Sequence, residues 1–194
     1  QIEKQVRAGA SYDDVAILYR TNAQSRSLED MLLRAGIPYR IVGGVKFFER
    51  AEIKDLMAYL TLIVNPADDM SAQRVINVPR RGIGKTTVDH ISELAFDQQV
   101  SFMDAAALAV ADSTFRASVR SALGGFVSLI AEASTYEGDL RKIIEMVIDR
   151  TGLVTALEVE NTTESRARIE NIKEFLTVVD EFVATHDEDD ALFE

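Results

Sequence analysis

Short apolar runs and one amphipathic stretch make up the first 43 residues. Residues 15–19 (Val-Ala-Ile-Leu-Tyr) form a continuous apolar run of strand length, and residues 38–42 (Pro-Tyr-Arg-Ile-Val) are predicted to form a second strand. Between them, apolar side chains recur on one face of residues 25–35, which is typical of a helix. A strand that is covered on both faces has this continuous apolar character. The pattern therefore predicts a strand–helix–strand unit, an α/β piece that needs further strands beside it to form a stable sheet.

From about residue 47 the pattern becomes helical. Gly124 and Gly125 fall inside one helical segment, where we expect them to kink or split the helix. The stripe of the first segment should bury Met57 and Val64, and Ser101 is placed to cap another segment. The second part of the chain is thus predicted to be mainly α-helical, with a solvated acidic tail at residues 186–190. The predicted helices cover residues 52–64, 71–78, 86–96, 102–110, 115–130, 140–148 and 161–182.

Charge is distributed unevenly along the chain. The net charge of −11 on its own argues against a nucleic-acid ligand. However, residues 1–90 contain 13 Lys and Arg against 11 Asp and Glu, whereas residues 91–194 contain 8 against 21. A polyanion should therefore bind the first half, and the acidic second half should be a solvated or partner-facing body.

The composition excludes several kinds of site. The sequence has no Cys, and its two His residues lie far apart, so we predict no disulfide and no metal site. No apolar run approaches the ~20 residues that a membrane-spanning helix needs, so we predict no membrane partner.

Residues 79–87 carry the most specific chemistry in the chain. A glycine–hydrophobe–glycine turn lies between two predicted helices and has cationic side chains on both sides. Its free amides would lie at a helix N-terminus, which is a site suited to a phosphate. We predict that this hairpin contacts the DNA backbone, and a plain helix–helix turn is the alternative. The turn is Gly82-Ile83-Gly84, and its flanking cations are Arg80, Arg81 and Lys85.

The same segment contains Gly84-Lys85-Thr86, the end of a nucleotide-binding P-loop motif. A P-loop requires a glycine five residues before this tripeptide, and Pro79 occupies that position. Proline has a fixed φ and no N–H to offer a phosphate, so the nucleotide interpretation fails. No acidic pair follows an apolar strand, as a site for magnesium and catalytic water would require. We therefore predict no catalytic residue, no cofactor and no ATP hydrolysis for this chain alone.

Three blocks of sequence resemble a specific protein family. Residues 18–26 (Leu-Tyr-Arg-Thr-Asn-Ala-Gln-Ser-Arg), 43–50 (Gly-Gly-Val-Lys-Phe-Phe-Glu-Arg) and 52–55 (Glu-Ile-Lys-Asp) are similar to segments of the UvrD/PcrA/Rep-type superfamily 1 DNA helicases. Residues 78–84 and 165–171 resemble further segments of these helicases, in the expected order. The resemblance covers most of the chain.

The resemblance implies a domain organisation and an activity. Residues 1–43 would be part of the second RecA-like motor domain (2A), and residues 44–194 would be most of accessory domain 2B, truncated before the return to 2A. The implied fold is an α/β piece, the strand–helix–strand of a RecA-like domain, followed by a mainly α-helical accessory domain. The full-length parent would be an ATP-dependent 3′→5′ DNA helicase of repair or replication, requiring ATP and Mg²⁺. Its implied location is the bacterial cytoplasm, at the nucleoid.

The resemblance also implies roles for individual residues. Arg20 and Asn22 resemble positions that contact the translocated single strand, and Lys46 resembles a further single-strand contact near the domain junction. The implied partners are single-stranded DNA and the single/double-strand junction, with repair or transcription proteins as candidate further partners. The residues that resemble a hairpin gripping duplex phosphates ahead of the fork are Gly82, Ile83, Gly84 and Thr87.

Simpler interpretations stand beside these roles. Arg20 could form a salt bridge with a carboxylate such as Glu29, Asn22 could belong to an ordinary turn, and Lys46 could be merely solvated. Phe47 and Phe48 could stack on bases, although we expect at least one of them in the core. For the whole chain, the alternatives are a helix-hairpin-helix DNA-binding module without a motor and a protein-interaction or regulatory module that uses the acidic half.

Overall fold

Helices account for the regular structure of the computed structural model, which describes residues 1–42, 44–136 and 139–184. The predicted acidic tail at residues 186–190 lies outside these ranges. Short 3-10 turns occur at Tyr12–Asp14, Asn22–Gln24 and Phe47–Glu49. The α-helices are α1 (Ile2–Arg7), α2 (Ser25–Arg34), α3 (Ala51–Val64), α4 (Asp69–Val75), α5 (Lys85–Gln98), α6 (Phe102–Ala111), α7 (Ala117–Ser134), α8 (Leu140–Thr151), α9 (Leu153–Glu160) and α10 (Thr163–Val183).

Two hydrophobic cores share helices α3 and α8. The first core lies among α3 to α8, and Tyr59 and Leu62 of α3 are fully buried in it. The second core packs α3 and α8 against α9, α10 and the side chain of Phe47. Because α3 contributes to both cores, it is apolar on more than one side. The prediction of one buried stripe along residues 52–64 was partly wrong. Met57 and Val64, which were expected in that stripe, are 43% and 40% exposed.

The prediction of a strand–helix–strand unit for residues 1–43 is wrong. None of the described residues belongs to a β-strand, although α2 forms where a helix was predicted. Residues 15–19 and 38–42 have no regular structure, and Leu18 and Val42 are 94% and 83% exposed. A strand exists only when a neighbour satisfies its amide and carbonyl groups, and two strands alone are too few for a stable sheet. The apolar runs have no such partner strands in the described chain.

Most helix positions downstream of residue 50 were predicted correctly. Ser101 caps α6 as expected, because its Oγ accepts the backbone N–H of Asp104 at 3.1 Å. Helix α7 runs through Gly124 and Gly125 without the predicted interruption. Helix α9 was not predicted, because it is short and begins directly after Gly152, the residue that ends α8. Among the described residues, no helix combines the length and the apolarity that crossing a membrane requires.

We expect Gly125→Ala to stabilise the protein. A Cβ at Gly125 would meet no atom within 4 Å, and the residue lies inside a continuous helix. Alanine loses less conformational entropy in a helix, so the free energy of unfolding should rise by about 0.5–1 kcal/mol in urea denaturation. Gly152→Ala is the matched control, because φ at Gly152 is +70° and the substitution there should destabilise. An unchanged or lower free energy of unfolding for Gly125→Ala would contradict the continuity of α7.

Candidate nucleic-acid interface

The predicted hairpin connects α4 to α5 and is anchored by a buried side chain. Ile83 is 1% exposed and packs in the first core. Gly82, just before it, has a φ of +78°, a conformation that L side chains rarely adopt. Gly84 follows as the N-cap of α5 and is exposed. The isoleucine therefore fixes the hairpin to the helical body, while its two glycines form the outer surface.

Arg81 is turned into the protein. Its Nη1 donates to backbone carbonyl oxygens at the end of α4 and in the loop that follows, at 3.0 Å to Val75, 3.2 Å to Ile76 and 3.0 Å to Val78. Its guanidinium also lies over the ring of Phe126, at 5.4 Å from the centroid. Nη1 carries two N–H groups, so these carbonyl oxygens share them in bifurcated hydrogen bonds, while Nη2 is left for another acceptor. Arg81 thus holds the loop together from inside. Nothing in the sequence distinguished this structural role from phosphate binding.

Tyr59 extends this interior contact. Its hydroxyl accepts a hydrogen bond from Nη2 of Arg81 at 2.6 Å and donates to the carbonyl oxygen of Val78. Burial raises the pKa of Tyr59, and the neighbouring Arg81 opposes this shift. The hydroxyl is therefore protonated at neutral pH, as its donor role requires. The central helix α3 is in this way tied directly to the loop between α4 and α5.

Asn77 organises the backbone of the hairpin, and sequence reasoning missed it. Its Oδ1 accepts from the amides of Arg81 at 2.7 Å and Ile83 at 3.2 Å. An asparagine carbonyl that satisfies nearby amides is a familiar turn-forming device, so its position before a Gly-rich loop was a usable signal. Two inner amides of the hairpin are consequently occupied.

The first amides of α5 have a different environment. The N-cap Gly84 offers no side-chain acceptor, and the N–H of Thr87 returns to its carbonyl oxygen at 3.0 Å. The amides of Lys85 and Thr86 make no hydrogen bond within the part of the chain that the structure describes. Such first-turn N–H groups point out of the helix end, where the helix dipole is positive. They are suited to receive an anion.

The remaining cations of the hairpin face solvent. Arg80 is exposed and forms no ion pair with any described residue. Lys85 is 86% exposed at its side chain and pairs with Asp89 of the next turn at 2.8 Å. An exposed pair of this kind is worth little, so a competing phosphate can replace the carboxylate. We call Arg80, Gly82, Gly84 and Lys85 the hairpin surface; Thr87 lies beside it and is half-buried.

The single-strand candidates lie on two other turns. Arg20 is exposed, and its backbone N–H donates to Oε1 of Gln24 at 3.1 Å; Asn22 begins the 3-10 turn that ends at this glutamine. Lys46 is also exposed, with its Nζ 5.7 Å from the ring centroid of Tyr39. The structure does not bring these candidates into one site with the hairpin surface through any contact among the described residues.

Among the described residues, Arg20 forms no ion pair with Glu29. Glu29 accepts instead from Ser25 Oγ at 2.7 Å, the Phe47 amide at 3.3 Å and the Tyr39 hydroxyl at 3.5 Å. Phe47 is 1% exposed, which confirms that at least one of the two phenylalanines belongs to the core. Its neighbour Phe48 is 50% exposed.

A buried polar cluster behind these turns was not predicted. Arg50 donates from Nη1 to Asn171 Oδ1 at 2.8 Å and from Nη2 to Ser25 Oγ at 2.7 Å. Asn171 Nδ2 in turn donates to Glu52 Oε1. Burial lowers the pKa of Arg50, while the carboxylates of Glu29 and Glu52 oppose that shift. These residues fall in blocks that carry the family resemblance, so their position in those blocks was the only sequence signal.

Arg26 forms a second polar contact with α10. Its guanidinium pairs with Asp30 at 3.2 Å, with Glu174 at 3.4 Å and with Glu181. The hydrogen bond from Arg26 is the main reason that the pKa of Glu181 lies below its ordinary value. Nowhere in the described ranges, this cluster included, is a group of three or more His, Cys, Asp or Glu side chains placed to hold a metal ion.

We expect Arg81→Ala and Arg80→Ala to differ sharply in stability. Removing Arg81 leaves several loop carbonyls without a donor, so the free energy of unfolding should fall by about 2–4 kcal/mol. Arg80, one residue earlier, is exposed, and its loss should change that free energy by less than about 0.5 kcal/mol. Urea denaturation of both variants measures the difference. Equal small effects would show that Arg81 does not hold the loop.

Comparison with known proteins agrees with the sequence resemblance. The profile of the UvrD-like helicase C-terminal domain matches residues 1–194. The chain is 43% identical over 181 residues to the ATP-dependent DNA helicase PcrA of Staphylococcus aureus, covering 92% of this chain and 24% of that protein. It is 42% identical over 175 residues to the ATP-dependent DNA helicase UvrD1 of Mycobacterium tuberculosis, covering 89% of this chain and 23% of that protein. The chain thus spans about a quarter of the length of these relatives. It belongs to the UvrD-like helicase C-terminal domain family.

Proposed function

We propose that the chain is the DNA-engaging part of an ATP-dependent 3′→5′ DNA helicase that acts in repair or replication. In this proposal, residues 1–43 belong to the second motor domain (2A), and residues 44–194 form most of accessory domain 2B. The helices of 2B carry a duplex-gripping hairpin, and the turns near residues 20 and 46 carry single-strand contacts. The names of the relatives support the activity, since both are called ATP-dependent DNA helicases.

The observation that carries the proposal is the division of the hairpin into an inner and an outer side. Ile83, Arg81 and Asn77 hold the loop from inside. The outer side presents two glycines, two amides of α5 that bond to no described residue, and Arg80, which forms no ion pair within the described ranges. Backbone amides and exposed arginines are the groups that bind phosphates without reading bases. A plain helix–helix turn does not need an unpaired cation beside an uncapped helix end.

The hairpin would bind a duplex phosphate at the start of α5. The glycines let the DNA backbone approach the main chain, because no side chain stands between them. Arg80 would form a charge-assisted hydrogen bond to the same or an adjacent phosphate, and Lys85 would exchange Asp89 for one. Arg81 contributes indirectly, because it keeps the loop in its binding shape.

The single-strand contacts would involve Arg20, Asn22 and Lys46. Arg20 offers a planar fork of donors for a phosphate, and Lys46 adds a second positive charge. The exposed ring of Phe48 is available for stacking on a base, unlike the buried ring of Phe47. The exposure of Arg20 and Lys46 supports this assignment.

The residues present do not fit a nucleotide phosphate site. In a P-loop several consecutive amides surround the phosphates. Here Pro79 has no N–H, and the amides of Arg81 and Ile83 are held by Asn77. ATP and Mg²⁺ would therefore act in the parent enzyme at residues outside this chain.

Protein partners are a secondary part of the proposal. Residues 91–194 carry the excess of acidic side chains, and a repair or transcription protein with a basic surface would match them. Loss of such a partner on charge reversal in α9 and α10, with DNA affinity intact, would favour a regulatory module. A helix-hairpin-helix module without a motor explains the hairpin but not the residue 18–26 block.

Salt-dependent binding tests the hairpin surface. Fluorescence anisotropy with a labelled duplex, single strand and fork should reveal binding that favours duplex or fork and weakens with salt. Arg80→Ala should reduce the log–log salt slope for duplex by about 0.9, as expected for one lost phosphate contact. Arg166→Ala removes the same charge from an exposed position on α10 and should leave the slope unchanged. Equal salt slopes for the unmodified chain, Arg80→Ala and Arg166→Ala would indicate that the hairpin is only a helix–helix turn.

Gly84→Ala tests whether the DNA backbone contacts the hairpin main chain directly, without changing the stability of the protein. A Cβ at Gly84 meets no protein atom within 4 Å, and its φ of −86° suits alanine, so stability should be retained. The methyl group would stand where the DNA backbone approaches, and duplex affinity should fall about fivefold, the equivalent of one hydrogen bond. Gly125→Ala, which also adds a methyl group in open space, is the matched control. Unchanged duplex affinity for Gly84→Ala would contradict direct backbone contact.

The isolated chain should not hydrolyse ATP. It lacks the glycine of a phosphate-binding loop, and its hairpin amides are partly occupied. Phosphate release by the purified chain should equal the buffer blank, with and without single-stranded DNA. Hydrolysis that tracks the chain through purification and disappears in Lys85→Ala would overturn this expectation.

A further inference from the structure

A continuous chain of polar contacts runs behind the candidate single-strand turns. It begins at Glu29, which accepts from Ser25 Oγ at 2.7 Å. Ser25 Oγ also accepts from Arg50 Nη2 at 2.7 Å, and Arg50 Nη1 donates to Asn171 Oδ1 at 2.8 Å. The chain ends where Asn171 donates to Glu52. We call these five side chains the polar relay.

Four of the five side chains in the polar relay are buried. Ser25 is 1%, Asn171 3%, Arg50 6% and Glu52 7% exposed. Burial of charged groups is costly, and a buried ion pair is weak evidence for stability by itself. A fully connected polar network does fix one relative position of the elements that it joins. The role of the polar relay is therefore to fix the positions of the elements that it joins, rather than to add stability.

One end of the relay lies next to the backbone of both single-strand turns. Ser25 follows the turn Asn22–Gln24 directly and begins α2. Glu29 also accepts the amide of Phe47, the residue after Lys46, at 3.3 Å. One carboxylate thus connects the segment that carries Arg20 with the segment that carries Lys46.

The other end of the relay lies on the helical body. Asn171 belongs to α10 and Glu52 to α3, the helix that serves both cores. Helix α10 also packs on the turn Asn22–Gln24 and holds Arg26 through Glu174 and Glu181. A shift of α10 must therefore move or break contacts next to Arg20.

We propose that Ser25, Arg50 and Asn171 are positioning residues for the single-strand site. They set the Arg20 and Lys46 turns relative to α10, so that the position of the helical body determines how well single-stranded DNA is held. The inference rests on the proposed single-strand role of Arg20 and Lys46, and it assigns these three residues a function through those turns rather than through contact with DNA.

Ser25→Ala in the full-length parent helicase tests the inference. The variant removes one hydroxyl and little volume, so single-strand affinity should fall about fivefold through loss of the hydrogen bonds that Ser25 makes with Glu29 and Arg50. Duplex affinity should stay close to that of the unmodified protein, whereas the thermal midpoint should fall modestly because the buried Arg50 loses one hydrogen bond. Ser25→Thr keeps the hydroxyl and should retain single-strand affinity. Ser134→Ala removes the hydroxyl of an exposed residue at the end of α7, which bonds to the carbonyl oxygens of Ile63 and Ile130, and should not affect single-strand binding.

A double variant distinguishes positioning from general stability. With Arg20→Ala already present, Ser25→Ala should cause a smaller further loss than it causes alone, because it acts in part through the same turn. The inference is overturned if Ser25→Ala binds oligo(dT) normally while Arg20→Ala weakens binding. It is also overturned if the two losses add fully, or if duplex affinity falls equally. If neither Arg20→Ala nor Lys46→Ala changes oligo(dT) affinity, the proposed single-strand site itself fails.

Discussion

The guanidinium of Arg81 is the interaction on which the hairpin depends. It joins loop carbonyls between α4 and α5 to Tyr59 of the central helix and to the ring of Phe126 on α7. No carboxylate of the described chain pairs with it; carbonyl dipoles and aromatic faces stabilise its charge instead. Because the inside of the loop is satisfied in this way, its outer side can present free amides without loss of structure.

Cations in this protein therefore divide into structural and surface groups, even at neighbouring positions. Arg81 and Arg80 are adjacent, yet one is bound to the loop and the other is exposed. The same division separates the buried Arg26 and Arg50 from the exposed Arg20 near them. A basic residue can bind a phosphate only if it is not already satisfied, so the charge of a sequence block overstates its binding capacity. The proposed DNA contacts rest on the exposed group.

Sequence patterns predicted the helical part well because each amphipathic helix finds its partner within the chain. The prediction of β-strands failed for residues 15–19 and 38–42. Apolar side chains favour burial, but a strand also needs a neighbouring strand to form hydrogen bonds with, and the local sequence does not show whether one is present. At the hairpin, the glycine spacing identified the turn, but nothing in the sequence distinguished the inward Arg81 from the outward Arg80. The polar relay could not be predicted from local sequence patterns. Ser25, Arg50 and Asn171 lie far apart in the sequence, and the packing of α10 brings them into contact.

The most direct test of the outward hairpin is a backbone-amide NMR titration of the chain with a short DNA duplex. The account predicts the largest, saturable shift changes at the amides of Gly82, Gly84, Lys85 and Thr86, with small changes at the Ile83 amide held by Asn77. Those changes should weaken as salt is added, since phosphate contacts release counterions. Saturable changes confined to α8, α9 or α10, with the hairpin amides unmoved, would contradict the account.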